Sequence, residues 1–382
     1  MKKRRIFIAI LAVAVCVVAA MNFTRILQKI PTDFSDIQMT YDADGRSRYY
    51  YNTLSAEGKV AYTVILDTIR EHPERIEIPQ LNDADFHEMF CALSYDNPEL
   101  LCMTNESQIV MRGAKAYFVP QYCEELSVCE SHRNDLENAV TEILSGVTPN
   151  MDAYDTELYF HDVICEKVVY TPDGDNVKGY SAYDALVQGK AVCEGYSRSV
   201  QLLLNRVGIS NYLVTGIGAD SDGTSEGHMW NVVTLQGENY YLDVTWDDMD
   251  EDDINRYNHT YFNVTSADIE KNHLEIQPAN NCCTATAYNY FVRQGLCISK
   301  YDANAKSLLV QEIRKAAENG SDTFEIRFAG GAAYEKAVTD LIDNDQISDL
   351  VHKAERGAAI HYKSVMYVYD ADMFTLQFSF SE

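Results

Sequence analysis

Residues Gly189–Asp248 read GKAVCEGYSRSVQLLLNRVGISNYLVTGIGADSDGTSEGHMWNVVTLQGENYYLDVTWDD, and three side chains in this stretch stand where its pattern changes. Cys193 opens an apolar run at helical spacing (Val200, Leu203, Leu204, Val207), and Gly208 follows as a C-cap. Three β-type runs come next: Tyr212–Ile217, His228–Leu235 and Tyr240–Thr245. The last two flank Gln236-Gly237-Glu238-Asn239, a hairpin signal. His228 opens the second run, and Asp243 lies near the end of the third.

A thiol at a helix start, with an imidazole and a carboxylate on neighbouring strands, is the equipment of nucleophilic catalysis. The thiolate is the nucleophile, and a helix N-terminus and a nearby imidazolium both stabilise it. A carboxylate holds the imidazole in one tautomer and orientation. A cysteine at a helix start is more often a small buried hydrophobe, so Cys193 alone decides nothing. Asp243 counts for more, because aspartate is disfavoured in strands. With the turn centred on Gly237-Glu238, Asp243 falls opposite Val232, which shares a face with His228. That register leaves the two offset by roughly 13 Å along the strand, so a bulge, another turn or strong twist has to close the gap.

These residues resemble the transglutaminase-like superfamily, whose papain-like core carries Cys at a helix start and then His and Asp on adjacent strands. The matching blocks are Cys193-Glu194-Gly195-Tyr196, Gly208-Ile209, Gly227-His228-Met229-Trp230-Asn231 and Asp243-Val244-Thr245-Trp246. They occur in the family's order within about Tyr154–Phe262. Two positions depart from the pattern: Ala191 where a glycine is expected, and Met229 where Ala is common. The resemblance implies an α+β fold, with the Cys-bearing helix packed on an antiparallel sheet, and a catalytic set of Cys193, His228 and Asp243. It also calls for an oxyanion hole, with the Cys193 amide as one candidate donor and Gln188 or Tyr183 as the second. Trp230 and Trp246 flank the site and read equally as site wall or core. Some relatives use calcium, but Asp247–Asp253 (DDMDEDD) lacks the EF-hand pattern and reads as a solvated acidic loop. No cofactor is expected.

The chain opens MKKRRIFIAILAVAVCVVAAMNFTR, with basic residues before an apolar run from Ile6 to Met21. That is the form of an export signal, cleaved or retained as an anchor. It places the body outside the cytoplasm, with membrane contact through this segment only. The net charge is −27, from 58 acidic and 31 basic residues, which opposes nucleic-acid binding. The 26 tyrosines read as residues at core edges. Besides Cys16 and Cys193 there are eight cysteines, and none can be given a partner; Cys91 and Cys165 look buried. No C-x-x-C pair, H-E-x-x-H or phosphate loop appears, so zinc and nucleotide motifs lack support.

Four segments follow from this: 1–28 as signal or anchor, 29–150 as an accessory α+β region, 151–278 as the catalytic domain and 279–382 as a small α/β domain. Gln28–Asp44 reads as a linker. Leu54–Arg70, Asp83–Leu93, Cys129–Ser145 and Glu157–Val168 read as helices, Gln108–Tyr122 as a hairpin and Tyr257–Val264 as a closing strand. His161, beside Asp162, reads as a solvated or capping helical histidine rather than a second base. After 279 the expected elements are helices at Ser307–Ala317, Ala332–Leu341 and Gln346–Ala354, a strand at Thr323–Phe328, and a hairpin of Lys363–Tyr369 and Met373–Phe380.

The expectation is an exported, bacterial-type thiol acyl-transfer enzyme acting on a carboxamide or peptide amide, as peptidase, deamidase or crosslinking enzyme. Its partners would be protein or peptide substrates, cell-wall peptides among them. The competing reading is a non-enzymatic surface scaffold, which would not require all three of Cys193, His228 and Asp243.

Overall fold

The computed structural model describes residues 33–37, 48–172, 179–219, 223–248, 257–279, 282–319, 323–356 and 362–381. The segment 1–28, expected to be an export signal, lies outside them, as do most of the expected linker and residues 249–253 of the acidic run. Among the described residues no helix is long and apolar enough to cross a membrane. The chain divides into two units at Asn134/Asp135.

The first unit is α+β. Helices α1 (Tyr49–Thr53) and α2 (Ala56–Thr68) precede strand β1 (Ile76–Ile78), helix α3 (Asp83–Tyr95) and the hairpin β2 (Gln108–Arg112) and β3 (Lys115–Val119). Ser55 and Asn82 cap α2 and α3 through their side-chain oxygens. The sheet runs β1-β3-β2, and its inner residues Ile76, Ile78 and Phe118 pack on Tyr62, Ile65, Met89 and Leu93. Cys102 and Cys129 form a disulfide, a pairing that spacing alone did not reveal. Cys91 is half-buried rather than buried.

Helix α4 (Leu126–Leu144) runs through the boundary into the second unit. There follow α5 (Ala153–Lys167), β4 (Val169–Tyr170), α6 (Ala182–Leu186), β5 (Lys190–Ala191) and α7 (Cys193–Arg206). Strands β6 (Asn211–Ala219), β7 (Ser225–Leu235) and β8 (Glu238–Leu242) come next, then the short helices α8 (Val244–Asp247) and α9 (Ser266–Ile269) and strand β9 (His273–Gln277). The antiparallel sheet is ordered β8-β7-β6-β9. Helix α7 lies on it, held by the Ser197 hydroxyl donating to the Met229 carbonyl (2.7 Å) and the Asn231 amide donating to the Ser197 carbonyl (3.1 Å).

Three expectations here are corrected. The β7–β8 turn is two residues long, with Leu235 opposite Glu238. Gln236 and Gly237 both take positive φ (51° and 84°), the form whose twist suits a tight hairpin. Strand β8 ends at Leu242, so Asp243 is not a strand residue but the N-cap of α8. Tyr257–Val264 is not a strand either: it is a turn that meets β8 through one bridge, Tyr241 to Val264.

The last layer holds α10 (Tyr290–Arg293), β10 (Cys297–Ile298), α11 (Ala303–Glu318), β11 (Thr323–Phe328), α12 (Gly331–Val338), α13 (Gln346–Glu355), β12 (Ser364–Asp370) and β13 (Thr375–Ser381). Its sheet is ordered β10-β11-β13-β12 and has its own core of Leu309, Ile313, Ile326, Phe328, Leu376 and Phe378. This layer grips the loop after α8. Glu325 binds His259 and Thr375 meets Thr260, while Arg327 pairs with Asp268 on α9 (2.6 Å).

Candidate active site

Helix α7 starts at Cys193 because parallel pairing of β5 with β4 ends at Ala191, and no side chain caps the first turn. The turn is crowded: a Cβ at Gly195 would lie 2.5 Å from the Gly179 carbonyl oxygen and 2.7 Å from the Ala191 Cβ. Only glycine fits there, which accounts for the Cys-Glu-Gly order. The Cys193 thiol is half-buried at the helix N-terminus.

His228 enters from β7. Its Nε2 meets Asp243 Oδ2 at 2.6 Å, and both side chains are almost fully buried. The Cys193 side chain lies near enough to the same ring to help raise its pKa. With Nε2 held by Asp243, Nδ1 is the nitrogen left for sulfur. The two-residue turn explains how the carboxylate arrives. It shifts the register by two, so Asp243 follows Leu242, the partner of Asn231, and leaves the strand beside the His228 face.

Asp243 is held on every side. Its Oδ1 accepts from the backbone N–H groups of Thr245 (3.0 Å) and Trp246 (3.3 Å). Its Oδ2 also meets His273 Nε2 at 2.9 Å. His273 in turn contacts Asn272 Oδ1 at 2.8 Å. Burial alone would lower the His228 pKa, but the Asp243 charge and hydrogen bond outweigh it, with help from Cys193, and lift it to about 10. Burial likewise opposes the Asp243 anion, yet His228 and His273 hold its carboxyl well below the usual range. His273 goes the other way, lowered chiefly by its own burial. The site therefore favours an imidazolium at 228 and an anion at 243.

The tryptophans separate. Trp230 is completely buried and stacks under His228 at 5.5 Å, so it is core support rather than groove wall. Trp246 is half-buried, 5.7 Å from the His228 ring, and lines a cleft with Asn258, Thr260, Glu325, Tyr369 and Asp370. Gln188 is exposed on the turn after α6, and its backbone N–H donates to the Tyr183 carbonyl (3.3 Å). Tyr183 is half-buried on α6.

Sequence reasoning missed two site residues. His273 lies 30 positions past Asp243 at the start of β9, with no motif around it. Tyr170 ends β4, and its hydroxyl is pushed up to about 12 by burial and then by the charges of Glu226 and Cys193. Only pairing of β4 with the strand leading into Cys193 brings it there. Against expectation, His161 is neither solvated nor a cap. It is fully buried and bonded to Asp162 and Asp247. Asp247 is buried as well, so the acidic run begins inside the protein.

The groups present suit thiol chemistry without a metal-binding motif at the thiol. His228, Asp243 and His273 lie close enough to share a cation.

Residues 139–249 match the family model described as the transglutaminase-like superfamily. No curated protein matches the chain. Among solved structures, a candidate cysteine protease from Cytophaga hutchinsonii is 16% identical, covering 30% of this chain and 37% of that one, with a TM-score of 0.23. A TGase structure is 14% identical over 47% of this chain and 52% of that one, with a TM-score of 0.26. A candidate protease from Parabacteroides distasonis is 14% identical over 34% and 29%, with a TM-score of 0.23. The chain thus spans from under a third to about half of the solved chains it matches. The segment 139–249, which contains Cys193, His228 and Asp243, is a transglutaminase-like domain of α+β fold.

Proposed function

We propose that this chain is an exported cysteine acyl-transfer enzyme in which Cys193 attacks a carboxamide or peptide amide. One observation carries the reading: a half-buried thiol at a helix start lies beside an imidazole whose Nε2 is held at 2.6 Å by a buried carboxylate. The sulfur adds to the carbonyl carbon, and the oxyanion forms beside the Cys193 N–H, which has no acceptor in the backbone among the described residues. The His228 imidazolium gives its proton to the departing nitrogen, leaving a thioester and ammonia or an amine. Neutral His228 then takes a proton from water or from an acceptor amine, which attacks the thioester and releases the thiol. Asp243 orients the ring throughout. Gln188 or Tyr183 supplies the second oxyanion donor. Export is supported by the basic-then-apolar N-terminus and by the Cys102–Cys129 disulfide, a bond of oxidising compartments.

The test is ammonia release from glutamine peptides, and cleavage of cell-wall stem peptides, with and without a primary amine. Amine incorporation identifies crosslinking, and release unaffected by amine identifies hydrolysis. Iodoacetamide at pH 6 supplies a readout that needs no substrate. Cys193 should be alkylated faster than Cys91, and the advantage should vanish in His228→Ala. Equal alkylation of the two thiols in the native protein would instead favour a scaffold.

A further inference from the structure

A second cluster of histidines and carboxylates lies away from Cys193, and the proposed reaction does not use it. His161 on α5 and His259 in the loop after α8 stack with ring centroids 4.8 Å apart. Both present a nitrogen to one oxygen: His161 Nδ1 and His259 Nε2 each lie 3.0 Å from Asp162 Oδ1. The far nitrogens are held too. His161 Nε2 meets Asp247 Oδ2 at 3.1 Å, and His259 Nδ1 meets Glu325 Oε1 at 2.5 Å. Asp247 is fixed in turn by the backbone N–H of Tyr261 (2.8 Å), and His259 is packed against Tyr290.

We infer that His161, Asp162 and His259 form a binding site for a divalent transition metal, zinc being the ion whose preferences fit best. Three observations support it. The inner atoms lie within 4.8 Å of one another, and a tetrahedral zinc needs its ligand atoms roughly 3.4 Å apart, a closure of the rings rather than a refolding. Each inner histidine hands its other ring nitrogen to a carboxylate, the outer-shell arrangement that fixes tautomer and direction in zinc sites. Asp162 keeps a third of its side chain exposed while the histidines are buried, leaving one side for water as a fourth ligand and for entry of the ion. Zinc takes imidazole in its neutral form, so protons are released as the ion binds. Because Glu325 belongs to the C-terminal sheet and His161 to α5, the metal joins that sheet to the helix beside the catalytic core.

Zinc chloride and cobalt chloride, titrated into the metal-stripped full chain by calorimetry, test this. Cys193→Ser is used throughout so that the thiol cannot contribute. The expected result is one equivalent of zinc, cobalt bands of tetrahedral character, and proton release on binding. Asp162→Asn and His259→Gln should abolish the stoichiometric binding, and Glu325→Gln should weaken it by about 10–100-fold. Asp162 is partly exposed, so its amide replacement keeps the test valid if the His259 variant does not fold. Absence of stoichiometric binding, or binding unchanged in Asp162→Asn, overturns the assignment.

Discussion

Asp243 serves two structures with one carboxylate: Oδ1 caps α8 and Oδ2 holds the His228 ring. Asp243→Asn keeps the shape but puts a donor or a neutral oxygen against Nε2. Turnover should fall by about 10²–10⁴-fold, read as kcat on the best peptide substrate. The pair also sets a pH window for stability. The His228 pKa is raised from the ordinary 6.5 to about 10. Its stabilising contribution is therefore complete below 6.5 and is lost as pH climbs through about 10. Asp243, held low, contributes above the usual carboxylate range and loses its share only in acid. Urea midpoints between pH 6.5 and 10 should decline more steeply in the native protein than in Asp243→Asn. Gly195→Ala places a methyl against the Gly179 carbonyl and should destabilise by about 1–3 kcal/mol, measured by denaturant unfolding. At this scale the sequence was informative where chemistry is local. Cys193, His228 and Asp243 each sit in a short block with its own signature, whereas His273 reaches Asp243 across 30 residues by sheet pairing alone.

The β7–β8 hairpin shows how one turn decides where the Asp243 carboxylate lands. Gln236-Gly237 closes it in two residues, and the strand parity read from the sequence put His228 and Asp243 on one side under a turn placed one residue too late. The error arose because glutamine is an unusual occupant of a positive-φ position, so the pattern pointed to Gly237-Glu238 instead. Gln236→Asn suits that backbone better and should stabilise the protein by about 0.5 kcal/mol in thermal unfolding. Strand β9 was invisible for a different reason. It joins β6 through a register shift between Thr215 and Ile217, where Gly216 leaves room for the Leu274 carbonyl and Trp230. His273-Leu274-Glu275-Ile276-Gln277 alternates apolar and polar residues, but over five positions only, and the side chain it buries is His273 while Leu274 faces outward. Helices α2, α3, α4, α5 and α7 were readable from their apolar spacing and caps, to within a few residues.

Across the whole molecule, covalent and non-covalent ties act over long stretches of chain. The Cys102–Cys129 bond closes a 27-residue separation, and Cys102→Ser should cost the first unit about 3 kcal/mol, seen as an earlier thermal transition that reductant reproduces in the native protein. The composition carried no information on this pairing or on the contact between Glu325 and His259, 66 positions apart. In the second unit, the cleft beside Trp246 takes Asn258 and Thr260 from one layer and Glu325, Tyr369, Asp370 and Gln377 from the other. The shape of that cleft is thus set in part by a hairpin more than 170 residues downstream of Cys193. Exchanging the tip of that hairpin should redirect preference among peptides while leaving the alkylation rate of the thiol untouched, so that selectivity and reactivity can drift apart under mutation.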